Sequence, residues 1–305
     1  MRTTRHIAFG YSTQCNIRCG HCVAADSGIR HTRMAQETAL EMIDEMASAR
    51  VTGISFTAGE PFLFMEQIGA LIKRCRYHGI YTRMVTNGFW ATSPRQANLV
   101  ATELIRNGLS QLRISSSRWH QKSVPLANVL NAASSCREHG LDYFISFITD
   151  FSGADDEMEQ FYRDHELKFF PEPLIYSGRA KGFPRPDIHT DYRSNRCSLN
   201  PYLSPDLEMF ACCDAGTSFT KTGFFLLGNR RQQTIGELFR KKENNRLYQL
   251  IQTMGLSAMA SFIGFPASRI VTYRKCDLCE ALFNSKKNLG ALRKAVDSGL
   301  SHWVR

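Results

Sequence analysis

The chain has 305 residues, of which 43% are hydrophobic and 22% charged, a composition typical of globular proteins and unlike that of disordered ones. No stretch is long and apolar enough to span a bilayer, and the first residues lack the apolar core of a signal peptide, so we expect a cytoplasmic protein without a membrane partner. The net charge is +10. The basic residues are dispersed, which favours a solvated basic surface over nucleic-acid binding.

Short β-rich runs alternate with helical periodicity over the first 176 residues, a pattern that predicts repeated βα units and a parallel sheet. The predicted strands are His6–Ser12, Gly53–Thr57, Ile80–Thr86, Leu112–Ser115, Tyr143–Thr149 and Lys168–Tyr176. Gly79, Gly108 and Gly140 each follow a helical run and mark its end. With right-handed crossovers, these units predict an α/β fold, a partial (β/α)6 barrel over residues 1–180, with its chemistry at the carboxyl ends of the strands.

Residues 181–305 show no βα repeat and contain five of the ten cysteines. A basic amphipathic helix is predicted from Thr234 to Met254, and a second helix from Lys286 to Ser298. Because cytosolic thiols are kept reduced, the cysteines favour metal ligation over a disulfide scaffold. We therefore predict a smaller, cysteine-rich C-terminal domain built around a metal centre.

Three cysteines lie on one short loop after the first predicted strand, with the spacing C-x3-C-x2-C: Cys15, Cys19 and Cys22. Three thiolates can hold an iron–sulfur cluster and leave one iron open, whereas a structural zinc ion needs a fourth ligand nearby. The loop resembles that of the radical S-adenosylmethionine (SAM) superfamily. The resemblance implies a catalytic [4Fe–4S] cluster on these cysteines, with SAM on the open iron.

Motifs after later strands resemble those with which this superfamily binds SAM. The segment from Thr57 to Pro61 reads Thr-Ala-Gly-Glu-Pro and resembles the Gly-Gly-Glu-Pro motif that receives the methionyl ammonium, with alanine in place of the first glycine. The resemblance implies the following SAM-binding residues: His21, Ala58, Gly59, Glu60, Asn87, Ser115 and Arg179. Alternatives remain for three of them: His21 as a packing residue or a zinc ligand, Asn87 as an ordinary turn residue, and Arg179 as a brace between domains. His120 resembles a histidine of peptide-modifying relatives, in a role left open.

The C-terminal cysteines resemble the ligands of SPASM and Twitch domains. Cys197 and Cys212 fit the opening C-x9-G-x4-C pattern, although Leu207 takes the place of the glycine. Cys276 and Cys279 fit the start of the next run, whose later cysteines are missing here. The resemblance implies one auxiliary [4Fe–4S] cluster on these four cysteines. A zinc ion on the same four is the alternative.

These resemblances imply reductive cleavage of SAM to a 5′-deoxyadenosyl radical, which removes a substrate hydrogen, with flavodoxin or ferredoxin as electron donor. Enzymes of this kind most often modify ribosomally made peptides, so peptide epimerisation or cross-linking is the leading hypothesis, and an acidic leader segment would suit the basic surface. Cys213 would then be a hydrogen-atom donor, a ligand in place of Cys212, or an inert neighbour of a ligand. The alternatives are modification of a small metabolite, RNA modification, and a zinc-binding interaction protein.

Overall fold

The computed structural model describes residues 4–23, 32–185, 196–266 and 275–298. The chain divides into two compact units. The first consists of Met1–Cys22, Gly28–Leu174 and Leu203–Asp206, and the second of Val23–Ser27, Ile175–Tyr202 and Leu207–Arg305. The loop with three cysteines therefore belongs to the first unit, and the C-terminal cysteines belong to the second.

A parallel sheet of six strands forms the centre of the first unit. The strands are β1 (Arg5–Gly10), β2 (Val51–Thr57), β3 (Tyr81–Thr86), β4 (Gln111–Ser116), β5 (Asp142–Thr149) and β6 (Phe169–Pro173). Their order is β6-β5-β4-β3-β2-β1, and each neighbouring pair is parallel. The predicted parallel α/β fold is confirmed. The sixth strand ends at Pro173, three residues earlier than predicted.

Helices connect these strands: α1 (Gln36–Ser48), α2 (Met65–Tyr77), α3 (Pro94–Asn107), α4 (Leu126–His139) and α5 (Asp156–Asp164). Local signals set their ends. The Ser93 hydroxyl accepts a hydrogen bond from the Gln96 N–H at the start of α3, and Gly108 and Gly140 adopt φ values of +96° and +73° where α3 and α4 end. Successive parallel strands thus end at one edge of the sheet, where the candidate site lies.

Shorter elements follow residue 200: β7 (Tyr202–Leu203), β8 (Glu208–Phe210), β9 (Leu226–Asn229), α6 (Ile235–Glu243), α7 (Arg246–Thr253), α8 (Leu256–Phe262), α9 (Lys275–Phe283) and α10 (Lys286–Asp297). Strands β8 and β9 form an antiparallel pair. The prediction of one helix from Thr234 to Met254 is wrong, because the Asn245 side chain accepts from the Tyr248 N–H and starts a new helix there. Helix α10 confirms the last predicted helix. In the described ranges, no helix has the length and apolarity needed to cross a membrane.

Candidate metal and cofactor site

The three-cysteine loop follows β1 at the carboxyl edge of the sheet. The Cys19 side chain is buried, Cys22 is half-buried and Cys15 is exposed. The Cys22 N–H donates to the Cys19 carbonyl across 3.3 Å, which closes a tight turn between them. The loop thus presents three thiols within eight residues, and three thiolates can hold an iron–sulfur cluster with one iron open.

Gly59, in the turn after β2, packs directly against the backbone of Gln14, the residue that precedes the first cysteine. Its φ is +57°, and a Cβ atom there would lie 2.1 Å from the Gln14 carbonyl oxygen and 2.8 Å from that of Ser12. The N–H of Glu60 donates to the same Gln14 oxygen over 2.7 Å. Because backbone packs directly on backbone here, only glycine fits, and the cysteine loop is held at a fixed distance from the turn.

Ala58, the predicted departure from the family pattern, adopts φ of +67°, in the left-handed region that glycine favours. An Ala58→Gly variant should be more stable by up to about 1 kcal/mol, because relief of the left-handed alanine exceeds the extra entropy of an unfolded glycine. Ala70→Gly, the same chemical change inside α2, should instead lower stability by about 1 kcal/mol. Urea denaturation of both variants shows whether the first substitution raises stability and the second lowers it.

The Glu60 carboxylate accepts three hydrogen bonds beneath this turn. The side chain is 2% exposed, and its carboxylate accepts from the Phe62 N–H (3.1 Å), the Thr86 hydroxyl (2.8 Å) and the Asn87 N–H (2.8 Å). The Asn87 side-chain amide donates to Asn16 in the cysteine loop over 2.9 Å. The ends of β2 and β3 and the cysteine loop are therefore tied together, and Asn87 contacts the loop as well as closing its own turn.

Burial raises the pKa of Glu60 to about 7, against the three hydrogen bonds, which lower it. A carboxyl group whose pKa is raised on folding stabilises the fold below its unfolded pKa, and that contribution is lost as the pH rises through the folded value. Stability should therefore fall by roughly 3 kcal/mol between pH 4.5 and pH 7 on account of Glu60. Glu60→Gln should be less stable overall but should lack this component. The urea midpoints of wild type and variant, compared at pH 5 and again at pH 8, measure this contribution. If the two differ by the same amount at both pH values, Glu60 makes no such contribution.

A buried cluster of Cys19, His21 and His120 lies beside the cysteine loop, and its potential ligand atoms are all within 4.8 Å of one another. The ring of His21 contacts those of Trp119 (5.1 Å) and His120 (4.6 Å). Burial and the neighbouring His21 lower the pKa of His120 to about 3, so its imidazole is neutral. The two histidines named in the sequence analysis are thus brought together beside Cys19, a predicted cluster ligand.

An ion-pair network holds the segment after β4 that carries Trp119. The Arg118 guanidinium pairs with Asp150 and Asp155, each at 2.5 Å, and stacks over the Trp119 ring at 4.1 Å. Asp155 is buried and also accepts from the Thr149 hydroxyl at 2.7 Å. The sequence analysis missed this network, because its members come from two different loops. The unusual Ser-Arg-Trp-His run was the one local signal.

Ser115 and Arg179 are the remaining residues that the sequence analysis names as SAM-binding. Ser115 is the second-last residue of β4 and is half-buried. Arg179 belongs to a 3-10 helix, Gly178–Gly182, of the second unit. Its Nε and Nη1 atoms are buried without a hydrogen-bond partner among the described residues. A guanidinium in this state is suited to receive a carboxylate.

The C-terminal cysteines lie close together within the second unit. Burial and the neighbouring Cys213, Cys276 and Cys279 raise the pKa of Cys212 well above its usual range. Burial, Cys276 and Cys197 do the same to the pKa of Cys279. Thiolates that destabilise one another in this way would be stabilised by a cationic metal centre, so these cysteines are suited to hold one.

Two backbone features support the Cys212 region as a ligand loop. The N–H of Asp214 donates to the Cys212 sulfur over 3.4 Å. Leu207, in the predicted glycine position, adopts φ of +66°, the left-handed conformation that explains why glycine is expected there. Cys213 is exposed, in contrast to its neighbour. Cys75 and Cys136 are fully buried on α2 and α4, as core residues should be.

Residues 11–165 match the Radical SAM superfamily. This is more than half of the chain, and the protein belongs to that superfamily. Membership implies a [4Fe–4S] cluster and SAM as cofactors.

Among its relatives is YydG of Bacillus subtilis (strain 168), named as a candidate peptide biosynthesis protein; the two are 23% identical over 93% of each chain. The structure of anSMEcpe with bound AdoMet covers 97% of both chains with a TM-score of 0.61 and 14% identity. BtrN in complex with AdoMet and 2-DOIA covers 84% of this chain and 90% of its own, with a TM-score of 0.53 and 13% identity. At this identity the two structures show a common fold.

Proposed function

We propose that the protein is a peptide-modifying radical SAM enzyme that epimerises a residue of its substrate. Similarity to YydG along nearly the whole chain supports the peptide substrate. The observation that carries the reaction is the exposed Cys213, which directly follows a cysteine of the four-cysteine group and is not needed as its ligand. Cross-linking, the other outcome for a peptide, needs no such thiol.

We assign the catalytic cluster to Cys15, Cys19 and Cys22, which leave one iron for SAM. Once bound, the cluster and SAM supply the radical that removes a substrate hydrogen. The chain's part is positioning. The proposed SAM-binding residues are His21, Ala58, Gly59, Glu60, Asn87, Ser115 and Arg179. The Gly59 turn and the bond from Asn87 to Asn16 fix the cysteine loop, and Arg179 offers unpartnered N–H groups to a carboxylate.

We further propose a Twitch-like C-terminal domain with one auxiliary [4Fe–4S] cluster on Cys197, Cys212, Cys276 and Cys279. A zinc ion on the same four cysteines is the alternative. We favour the cluster because the first unit belongs to a superfamily whose members carry one. The N–H of Asp214 aimed at a ligand sulfur supports the same assignment.

The proposed reaction inverts one stereocentre. After a hydrogen atom is lost from the substrate α-carbon, the Cys213 S–H bond breaks and its hydrogen atom adds to the opposite face of the carbon radical. The sulfur is left as a thiyl radical. One electron from a flavodoxin or ferredoxin and one proton from solvent restore the thiol. The substrate is thus isomerised without net oxidation.

The charge of +10 suits a peptide with an acidic segment outside the reacting residue, since complementary charge accelerates encounter. The second candidate function is modification of a small metabolite, which the BtrN-like fold permits but which no contact in the site specifically favours.

Anaerobic incubation in deuterated water tests the proposal. The substrates are synthetic peptides that correspond to short reading frames beside the gene, with SAM and a reductant. We expect a product one mass unit heavier that carries a D-residue, because the Cys213 thiol exchanges with solvent. A loss of two mass units would indicate cross-linking. If no peptide changes while 5′-deoxyadenosine forms, the metabolite candidate gains support. If the second unit holds zinc in place of iron and sulfide, the assignment of an auxiliary cluster to that unit fails.

A further inference from the structure

The proposed reaction does not use His120, although this residue lies beside a proposed cluster ligand. Cys19, His21 and His120 are 9%, 5% and 7% exposed, and their ligand-type atoms lie within 4.8 Å of one another. The sulfur of Cys19 therefore lies within 4.8 Å of an imidazole nitrogen of His120 in a largely buried environment. A hydrogen bond between the two would be strengthened by the low dielectric of its surroundings.

Ser117 determines which nitrogen of His120 is available to the sulfur. The Ser117 hydroxyl oxygen lies 2.8 Å from His120 Nδ1, and the backbone N–H of His120 donates to the same oxygen at 3.3 Å. A serine hydroxyl can donate as well as accept, and in the arrangement we infer its hydrogen bonds Nδ1. Nε2 then carries a hydrogen whether the ring is neutral or charged, and Nε2 is the nitrogen left for the sulfur.

The segment that carries His120 is held independently of any cluster. Arg118 is fixed by Asp150 and Asp155 and stacks on Trp119, and the His120 N–H also donates to the Ser117 carbonyl at 2.9 Å. The Trp119 ring in turn contacts His21. The imidazole is thus positioned before a cluster is inserted, as residues around metal ligands usually are.

We propose that His120 donates its Nε2–H to the sulfur of Cys19 and so raises the reduction potential of the catalytic cluster. The inference rests on the assignment of Cys19 as a cluster ligand under the proposed function. An N–H donor withdraws electron density from the thiolate and stabilises the more negative, reduced cluster, which is how hydrogen bonds to sulfur tune such potentials. His120 is in this sense a positioning residue: it acts through Cys19 and does not touch substrate.

A redox titration monitored by electron paramagnetic resonance tests this in the full-length protein, reconstituted anaerobically and titrated without SAM. The catalytic cluster is identified by the change of its signal when SAM is added afterwards. In His120→Phe, which keeps a ring but has no donor, we expect the ratio of reduced to oxidised cluster at the wild-type midpoint to fall about tenfold, equivalent to ~59 mV for one electron. In His120→Gln, whose amide N–H reaches the position of Nε2, most of the potential should return.

Ser117→Ala keeps the imidazole and removes the hydroxyl that fixes its proton, so the midpoint should also fall, by less than in the phenylalanine variant. This variant decides the question if His120→Phe fails to take up iron. His139→Phe, at an exposed position of α4, is the matched control and should leave the midpoint unchanged, as should the signal of the auxiliary cluster in every variant.

Wild-type midpoints in both His120→Phe and Ser117→Ala would overturn the inference and leave the proposed function intact. The proposed function itself would fail if the wild-type protein gave no cluster signal that responds to SAM.

Discussion

Cys213→Ala should stop epimerisation while the protein keeps its full content of iron and sulfide. We expect the yield of D-residue product to fall by more than ~100-fold, equivalent to about 2.7 kcal/mol in the activation barrier, because the substrate radical has lost the donor on its opposite face. Formation of 5′-deoxyadenosine should continue, since hydrogen removal precedes the step in which the thiol acts. Chiral amino-acid analysis of the hydrolysed product measures the yield.

Two variants separate this role from a role in metal binding. Cys213→Ser keeps the size of the side chain, but an O–H bond is too strong to give its hydrogen atom to a carbon radical, so epimerisation should be lost as in the alanine variant. Cys212→Ala should instead lose about four iron atoms per chain, the content of one cubane. If Cys213→Ala converts the peptide at the wild-type rate with unchanged iron, Cys213 is an inert neighbour and cross-linking becomes the leading reaction.

The strands were predictable from the sequence because a buried parallel strand flanked by helices leaves a local signal: a β-rich run followed by a helical period that ends in glycine. Where two local signals competed, prediction failed. The amphipathic pattern runs unbroken from Thr234 to Met254, yet the Asn245 cap ends that continuity. A capping side chain competes with helix propagation by about 1 kcal/mol, which periodicity does not register.

In the site, short motifs were predictable from the sequence, whereas contacts between residues far apart in the chain were not. The C-x3-C-x2-C loop and the Gly-Glu-Pro turn are local motifs, and the sequence placed both. Apart from Phe62, the partners of Glu60 and the acidic partners of Arg118 lie 26 to 37 residues away in the chain, so their pairing depends on how strand ends meet at the sheet edge. The contact of His21 with His120 depends on it too. No spacing rule reports such contacts.

Gly59→Ala should have the largest structural effect of any single methyl group near the catalytic loop. The added carbon would lie 2.1 Å from the Gln14 carbonyl oxygen, and neither backbone segment can yield without breaking the 2.7 Å hydrogen bond from Glu60 to that oxygen. Overpacking and a left-handed alanine together predict a loss of about 2–5 kcal/mol of stability. Because the loop would be displaced, iron after anaerobic reconstitution should fall from about eight to about four atoms per chain.

Gly79→Ala is the matched control, since Gly79 has a similar φ of +68° but no atom within 4 Å of the position that a Cβ would take. It carries the conformational penalty without the collision, so it should cost about 1 kcal/mol and leave both clusters in place. Thermal unfolding and iron analysis of the two variants therefore isolate the contact between the turn and the loop. Equal losses in both would show that the turn tolerates the collision and that the cysteine loop is positioned by other contacts, of which the Asn87 to Asn16 hydrogen bond would be the first to test.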